Sequence, residues 1–345
     1  MTVDAAPIIT LRAAGALFLG KTTTTEFAVS YDGSRSDTKN PHNLECTPGG
    51  SSSGSGAAVG DYQVPIALGT QTVGSTIRPG SFNGVYAFKP TWGAISQEGL
   101  SQYSVSNDTV GFFSRSVKDL RLLTTAFQFT TDLSLPIGPF SLEKARLAFC
   151  KTPGWSLVGS GTRSAWEAGQ ALLSRAGATV SDLQLPAEFA KVKEWHLTIL
   201  ASEARAAFLG NYLLAKEKMD PSLVALVEQI PDRKRQLAAY DGIARLRPLW
   251  DTISEKYHAI VVPSAVDEAP KGLGNTGDPF VCAMWTMLGV PVINIPGFAG
   301  ENGLPIGLSL VSSRYNDLYL LQVAEAVGSL WETAGNFRSR LLEST

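Results

Sequence analysis

Residues 48–75 read PGGSSSGSGAAVGDYQVPIALGTQTVGS and contain two glycine-rich blocks, each built around a serine. The first block lies at 49–56, and the second runs from Gly69 to Ser75 at the end of an apolar segment, 64–70, that predicts a buried strand. Glycines around a serine at a strand exit leave several backbone N–H groups beside a hydroxyl. That arrangement meets the requirement of acyl transfer, a nucleophile with donors for an oxyanion next to it.

Three other interpretations of the glycine-rich stretches fit their surroundings less well. A flexible linker would join two folded units, but GGSSSGSG continues directly into a hydrophobic segment. Gly50 to Gly54 matches the G-x-S-x-G nucleophile elbow centred on Ser52, but no good strand precedes it. Gly15 to Thr22 matches the phosphate-binding loop, but its central residues, ALFL, predict a buried strand that leaves the core at Gly20.

The composition excludes several classes of protein. The 345 residues carry a formal net charge of −2 and are 44% hydrophobic, which argues against a disordered chain and against a dedicated nucleic-acid binder. No apolar run reaches the length of a membrane span, and the first residues lack a secretory signal pattern, so a cytoplasmic location is expected. Three dispersed cysteines do not make a disulfide framework, and three scattered histidines do not make a zinc motif.

Strand and helix patterns alternate along the chain. Strands are predicted at 16–19, 64–70, 146–150, 178–185, 258–264, 291–296 and 305–313, the last two as a hairpin around the turn at 301–303. Helices are predicted at 6–14, 22–29, 114–127 with Ser116 as N-cap, 162–176, most of 187–250 and 317–331. Alternation on this scale predicts an α/β fold with a central sheet covered by helices on both faces.

The two serine blocks, taken with further motifs, resemble the amidase signature family. The family pattern runs GKT, PGGSSSGS, GTDTGGS or GTQTAGS, FNG with FKPT, and DTVG. The corresponding segments here are 20–22, 48–55, 69–75, 82–91 and 108–111, and KTPGW at 151–155 and DPF at 278–280 also match. The resemblance covers nearly the whole chain and implies the amidase-signature fold, a large mixed β-sheet between helices.

The family uses a Ser–cis-Ser–Lys triad, and the resemblance assigns two of its members. Ser75 is implied as the nucleophile that attacks an amide carbonyl. Ser51 is implied as the bridging serine, with a cis peptide between Gly50 and Ser51. The oxyanion hole is expected from the backbone N–H groups of Thr72, Val73, Gly74 and Ser75.

The third member of the triad, a lysine, has no counterpart among the matched motifs. In the family it lies upstream of GKT, typically in a V-K-D segment, and this sequence has only twenty residues before Lys21 and no such segment. Lys21 matches the non-catalytic lysine of GKT, and it is expected to be structural and to bond carbonyls near the Ser51 loop. Lys89, in FKPT, matches a position that is also expected to be structural.

The expected organisation is a single amidase-signature domain over 1–345 that lacks the family's N-terminal segment. Within it, we expect a signature core at 12–122, a helical substrate-lining region at about 155–255, and a C-terminal sheet and helix at 258–335. Without the missing layer, apolar surface and a strand edge would be exposed. Because such surfaces favour association, a homo-oligomer or a marginally stable chain is expected.

The resemblance implies an amidase-type hydrolase that cleaves carboxamide C–N bonds through an acyl-serine intermediate. Its substrate would be a small-molecule amide, with no metal, cofactor, nucleic acid or membrane involved. Without the lysine, activity is expected to be impaired, because loss of a general base costs about 10²–10⁴ in rate. Two alternatives stay open, a non-catalytic amidase-like scaffold or binding protein and an amidotransferase-like subunit that receives ammonia from a partner.

Overall fold

The computed structural model describes residues 3–34, 36–131 and 138–339. Its strands are β1 (Ile66–Gln71), β2 (Tyr86–Lys89), β3 (Thr109–Ser114), β4 (Arg146–Cys150), β5 (Thr179–Leu183), β6 (Ala259–Pro263), β7 (Val292–Ala299) and β8 (Pro305–Val311). Its α-helices are α1 (Ala6–Ala13), α2 (Ser53–Gly60), α3 (Ile77–Phe82), α4 (Val117–Ala126), α5 (Ser160–Arg175), α6 (Val192–Ala215), α7 (Pro221–Glu228), α8 (Arg233–Ser254), α9 (Phe280–Met287) and α10 (Asp317–Ala334).

The strands form one mixed sheet in the order β1-β3-β2-β7-β8-β6-β4-β5. β4 pairs in parallel with β5 and with β6, whereas the other neighbours are antiparallel. The parallel pair β4–β5 is joined by α5, as a crossover connection requires. β7 and β8 form the predicted hairpin, with Val292 opposite Val311 and Ala299 opposite Pro305.

Helices cover both faces of the sheet, as predicted, because consecutive strand residues point to opposite faces. Phe88 and Ile293 lie in one hydrophobic core, while their chain neighbours Ala87 and Val292 lie in another. The first core includes buried residues of α4, α5 and α10, and the second includes residues of α6, α8 and α9. Each buried strand therefore contributes apolar side chains to two separate cores.

Several predicted elements are confirmed with their boundaries nearly in place. Ser116 caps α4, where its hydroxyl accepts a hydrogen bond from the Asp119 N–H at 3.1 Å. Gly15 and Gly177 follow the ends of α1 and α5, and both have a φ of +87°, the left-handed conformation that glycine adopts at helix ends.

The predicted buried strand at 16–19 is wrong. This segment has no regular secondary structure and pairs with no strand among the described residues, and the side chains of Leu17 and Leu19 are 85% and 72% exposed. Only Phe18 packs toward the core, with the Arg12 guanidinium 4.9 Å from its ring centre. An apolar run does not specify a strand unless a ladder partner satisfies its backbone groups.

The predicted helix at 22–29 is also wrong, since only Glu26–Ala28 form a single 3₁₀ turn. The threonines that would begin this helix bind the serine block instead. The Thr22 and Ser55 hydroxyls share a hydrogen bond of 2.7 Å, and the Thr24 hydroxyl donates to the Ser51 carbonyl at 2.8 Å. The serine block is itself largely helical, because 53–60 form α2.

The strand predicted at 64–70 exists as β1, but it is an edge strand and only partly buried. Serines of α2 and its N-cap satisfy the outer edge of β1. The Ser52 hydroxyl accepts from the Thr70 N–H at 3.2 Å, and the Ser55 hydroxyl donates to the Leu68 carbonyl at 2.6 Å. These contacts fix the first serine block against the strand that leads into the second.

Gly80 lies in α3 where this helix meets β2, and an added methyl group would lie 2.3 Å from the Ala87 Cβ. Gly80→Ala is expected to destabilise the fold by about 1–3 kcal/mol, because overpacking forces the backbone to move. Gly210→Ala in α6 is the matched control, since nothing lies within 4 Å of its added methyl. Denaturant unfolding measures both variants, and an unfolding midpoint of Gly80→Ala at or above that of the wild type would contradict this packing.

Candidate active site

A cavity of about 620 Å³ opens beside the two serine blocks. Ser51 and Ser75 both line it, together with Thr72 and Val73 of the segment between β1 and α3. Gly74, between Val73 and Ser75, packs against α9, where an added methyl would lie 3.1 Å from the Cys282 Cβ. The structure thus brings all five predicted site residues together at or beside one cavity.

Ser51 is held by its backbone and leaves its hydroxyl unengaged. The Gly50–Ser51 peptide is cis, as the resemblance predicts. The Ser51 carbonyl accepts hydrogen bonds from the Thr25 N–H and the Thr24 hydroxyl. The Ser51 hydroxyl is buried and has no hydrogen-bond partner in the part of the chain that the structure describes. A buried hydroxyl in this state is ready to accept or donate a proton to a group that enters the cavity.

Ser52 does not fit the nucleophile-elbow interpretation. Its hydroxyl exchanges two hydrogen bonds with the backbone of Thr70, and its side chain is not part of the cavity wall. Its N–H donates to the Ser75 carbonyl at 3.3 Å. Ser52 therefore ties the two serine blocks together.

The segment Thr72–Ser75, called here the oxyanion loop, presents unused backbone donors. Among the described residues, none accepts a hydrogen bond from the N–H groups of Thr72, Val73, Gly74 or Ser75. Backbone donors left unpaired in a folded protein are uncommon and call for an explanation. A cavity bordered by such donors and by a serine hydroxyl can stabilise negative charge on a carbonyl oxygen.

Buried polar side chains hold the oxyanion loop from both ends. The Thr72 hydroxyl donates to Asp108 at 2.6 Å, and the other carboxylate oxygen accepts from the N–H groups of Tyr103 and Ser104. Burial raises the pKa of Asp108, while these hydrogen bonds oppose the rise. At the other end, the Gln71 side-chain oxygen accepts from the Thr76 and Ile77 N–H groups at the start of α3.

Arg78 connects the two serine blocks to the loop before α9. Its guanidinium donates to the Gly50 carbonyl and to the Gly277 carbonyl, each at 2.7 Å, and to the Thr276 hydroxyl at 3.3 Å. The Gly50 carbonyl belongs to the cis peptide itself. Burial lowers the pKa of the Arg78 guanidinium, and no described carboxylate forms an ion pair with it.

The rest of the cavity wall is mainly apolar and comes from α6, α7 and three loops. Tyr31 and Tyr103 contribute aromatic surface, and Leu200 and Leu226 contribute aliphatic surface. Besides Arg78, the charged side chain on this wall is Glu194 in α6. The cavity therefore suits the uncharged, apolar part of a small organic molecule.

No lysine or histidine is among the described residues that line the cavity. Lys21 is exposed, lies outside the helices and strands, and bonds none of the described carbonyls near the Ser51 loop. The prediction that Lys21 bonds carbonyls of that loop is therefore wrong. Lys89 is fully buried and donates to the Pro90 carbonyl at 2.8 Å, as expected for a structural residue. Burial lowers the pKa of Lys89 to about 7.

The described ranges hold neither a metal-binding cluster nor a membrane-spanning helix. No group of three or more His, Cys, Asp or Glu side chains is placed there to hold a metal ion. None of the described helices is long and apolar enough to cross a membrane.

The comparison with known proteins identifies the family. A family model described as Amidase matches residues 1–321. This chain belongs to the amidase family.

Amidase-family relatives match over most of both sequences. A glutamyl-tRNA(Gln) amidotransferase subunit of Lactobacillus delbrueckii subsp. bulgaricus is 32% identical, over 92% of this chain and 76% of the relative. A crystal structure of an amidase superposes with a TM-score of 0.84 at 26% identity, over 94% of this chain and 77% of the other. The native peptide amidase of Stenotrophomonas maltophilia superposes with a TM-score of 0.76 at 25% identity, over 95% of this chain and 76% of the other.

Several residues that shape this site were not predicted from the sequence. Arg78 stands three positions after Ser75 in the same motif, and a charged residue inside an otherwise small and apolar stretch was a usable signal. Asp108 opens the matched DTVG motif, but its contact with Thr72 depends on the pairing of β1 with β3. Thr286 donates its hydroxyl hydrogen to the Val73 carbonyl, but its place in an apolar helix far along the chain gave no sign of this contact.

Proposed function

We propose that this amidase-family protein hydrolyses carboxamide C–N bonds through an acyl-enzyme on Ser75. The observation that supports the proposal most strongly is the position of Ser75 in a cavity bordered by the unpaired N–H groups of the oxyanion loop. Nucleophile and oxyanion donors in one place are what acyl transfer requires. The mainly apolar wall suits the acyl part of a small amide.

The proposed reaction proceeds in two halves. The Ser75 oxygen attacks the amide carbon while the proton of its hydroxyl is relayed through Ser51, which passes its own proton on toward the amide nitrogen. The carbonyl oxygen becomes an oxyanion held by the N–H groups of the oxyanion loop. The C–N bond then breaks, the nitrogen takes a proton, and ammonia or an amine leaves. Water attacks the acyl-serine in the second half, which releases a carboxylic acid and restores the Ser75 hydroxyl.

The described residues are expected to catalyse this reaction poorly by themselves. Ser51 lines the same cavity as Ser75, but its hydroxyl forms a hydrogen bond neither with the Ser75 hydroxyl nor with any described amine or imidazole. A serine without a general base loses about 10²–10⁴ in rate. A small primary amine that enters the cavity is expected to supply that base.

Ammonia release from simple aliphatic and aromatic carboxamides tests this function. We expect slow turnover by the 345-residue chain and a saturable increase of at least about 10-fold on addition of methylamine or ethylamine. Ser75→Ala should show neither activity nor rescue. No ammonia from any amide, with or without amine, would favour the scaffold alternative, and fast turnover without amine would contradict the impairment.

A second candidate function is that of one component of an amidotransferase. It is favoured by the identity with proteins named as glutamyl-tRNA(Gln) amidotransferase subunits. In such a complex, a site that cleaves a carboxamide would release ammonia rather than receive it, because the C–N bond breaks at Ser75. Co-purification of the chain with a partner that consumes ammonia would support this candidate over a free-standing amidase.

A further inference from the structure

Thr286 contacts the oxyanion loop although it does not line the cavity. It lies in α9, is fully buried, and donates its hydroxyl hydrogen to the Val73 carbonyl at 2.7 Å. No other described donor hydrogen-bonds to this carbonyl. The orientation of the peptide between Val73 and Gly74 therefore depends on one hydroxyl group.

Gln71 fixes the direction in which the Thr286 hydroxyl donates. The Gln71 side-chain oxygen accepts from two backbone N–H groups, so its amide nitrogen must point the other way. That nitrogen donates to the Thr286 oxygen at 3.0 Å. Because Thr286 accepts this hydrogen bond, its own hydrogen is free to donate. The Val73 carbonyl, at 2.7 Å, is a much nearer acceptor than the Cys282 carbonyl of α9, at 3.5 Å. The Gln71 amide, the Thr286 hydroxyl and the Val73 carbonyl form a buried chain in which each group donates to the next. Hydrogen bonds in such a chain polarise and strengthen one another.

The geometry of the peptide unit links these hydrogen bonds to the direction of the Gly74 N–H. In a trans peptide, the C=O of one residue and the N–H of the next point in opposite directions. A bond that holds the Val73 carbonyl toward α9 therefore turns the Gly74 N–H away from α9. That N–H has no partner among the described residues, and its neighbours Val73 and Ser75 both line the cavity.

We infer that Thr286, oriented by Gln71, is a positioning residue that aims the Gly74 N–H at the oxyanion. The inference rests on the proposed function for its catalytic meaning, but the orientation of the peptide can be measured without it. It also gives a role to the amide group of Gln71. A carboxylate at this position could accept from α3 but could not donate to Thr286.

The test compares Thr286→Val, which keeps the shape and removes the hydroxyl, with Thr286→Ser, which keeps the hydroxyl. Loss of an oxyanion donor costs about 10²–10³ in kcat, so a misaimed donor in Thr286→Val is expected to lower kcat by about 10–100-fold with little change in KM. Thr286→Ser should retain kcat within about 3-fold. Thr124→Val is the matched control, a buried threonine in α4 whose hydroxyl bonds a carbonyl of its own helix.

A second measurement, of inhibitor affinity, distinguishes a misdirected Gly74 N–H from a general disturbance of the active site. A trifluoromethyl ketone forms a hemiketal oxyanion with the serine, so Thr286→Val should weaken its binding by the same factor as kcat/KM. An unreactive amide analogue that makes no oxyanion should bind Thr286→Val as it binds the wild type. Unchanged kcat and unchanged ketone affinity in Thr286→Val would overturn the inference.

A crystal structure of Thr286→Val decides the inference even if the wild type proves inactive. The expected result is a rotated Val73–Gly74 peptide, with the Thr286→Ser structure unrotated. A peptide in its original orientation in Thr286→Val would overturn the positioning role. Inactivity of the wild type toward amides, esters and the ketone would instead count against the proposed function, so the two failures are distinguishable.

Discussion

Ser75→Ala is expected to abolish amide and ester turnover, with a loss of at least about 10³-fold in kcat, because the other hydroxyl of the oxyanion loop, that of Thr72, is held by its hydrogen bond to Asp108. The substitution removes one buried hydroxyl that bonds no other described group, so the fold should retain its stability. Ammonia release, followed in the presence of the rescuing amine, measures the loss.

Ser55→Ala is the matched control for this experiment. Ser55 is a buried serine of the first block, but its hydroxyl bonds the Leu68 carbonyl and does not line the cavity. Its replacement removes contacts with Thr22 and Leu68 that help to hold the first block, so turnover should fall far less than in Ser75→Ala. Full activity in Ser75→Ala would show that the nucleophile lies elsewhere, and Ser52 would then have to be reconsidered.

Arg78→Met is expected to cost the largest amount of stability. The substitution leaves the buried Gly50 and Gly277 carbonyls without their donor. Each buried carbonyl left unpaired costs about 1–3 kcal/mol, so the expected loss is about 2–6 kcal/mol. That is comparable with the whole stability of many proteins, and the variant is therefore expected to unfold at a much lower denaturant concentration or temperature.

Arg121→Met is the control for loss of an arginine. Arg121 makes a surface ion pair with Glu325 at 2.8 Å and is half exposed, so its replacement should cost less than about 1 kcal/mol. Arg78→Lys should recover only part of the loss, because an ammonium lacks the planar fork that reaches both carbonyls. An unfolding midpoint of Arg78→Met equal to that of Arg121→Met would contradict the bridging role of Arg78.

Local signals in the sequence were sufficient for much of the fold. Ser116 predicts the start of α4, Gly177 predicts the end of α5, and the turn at 301–303 predicts the β7–β8 hairpin, because caps and turns depend on a few neighbouring residues. The prediction of a strand at 16–19 was wrong for a physical reason. Whether an apolar run becomes a strand depends on a partner, and the partial burial of Phe18 in this segment follows from tertiary packing.

Part of the candidate site could likewise be predicted from local sequence, and part could not. Glycine and serine spacing predicts a nucleophile beside backbone donors, and the resemblance assigns Ser75, Ser51 and the cis peptide. The side chains that hold the oxyanion loop in place could not be predicted, because they come from distant parts of the chain. Asp108 reaches Thr72 through the pairing of β1 with β3, and Thr286 reaches Val73 from α9. Contacts at such separations are set by topology rather than by local pattern.

Mass mapping of a covalent adduct tests most directly whether Ser75 carries the acyl group. The folded protein would be treated with a fluorophosphonate, with and without the rescuing amine, digested and analysed for the modified peptide. The expected result is one phosphonylated residue, Ser75, with faster labelling when the amine is present and no labelling of Ser75→Ala. An adduct on Ser52 or on another serine, with Ser75 unmodified, would contradict this role of Ser75.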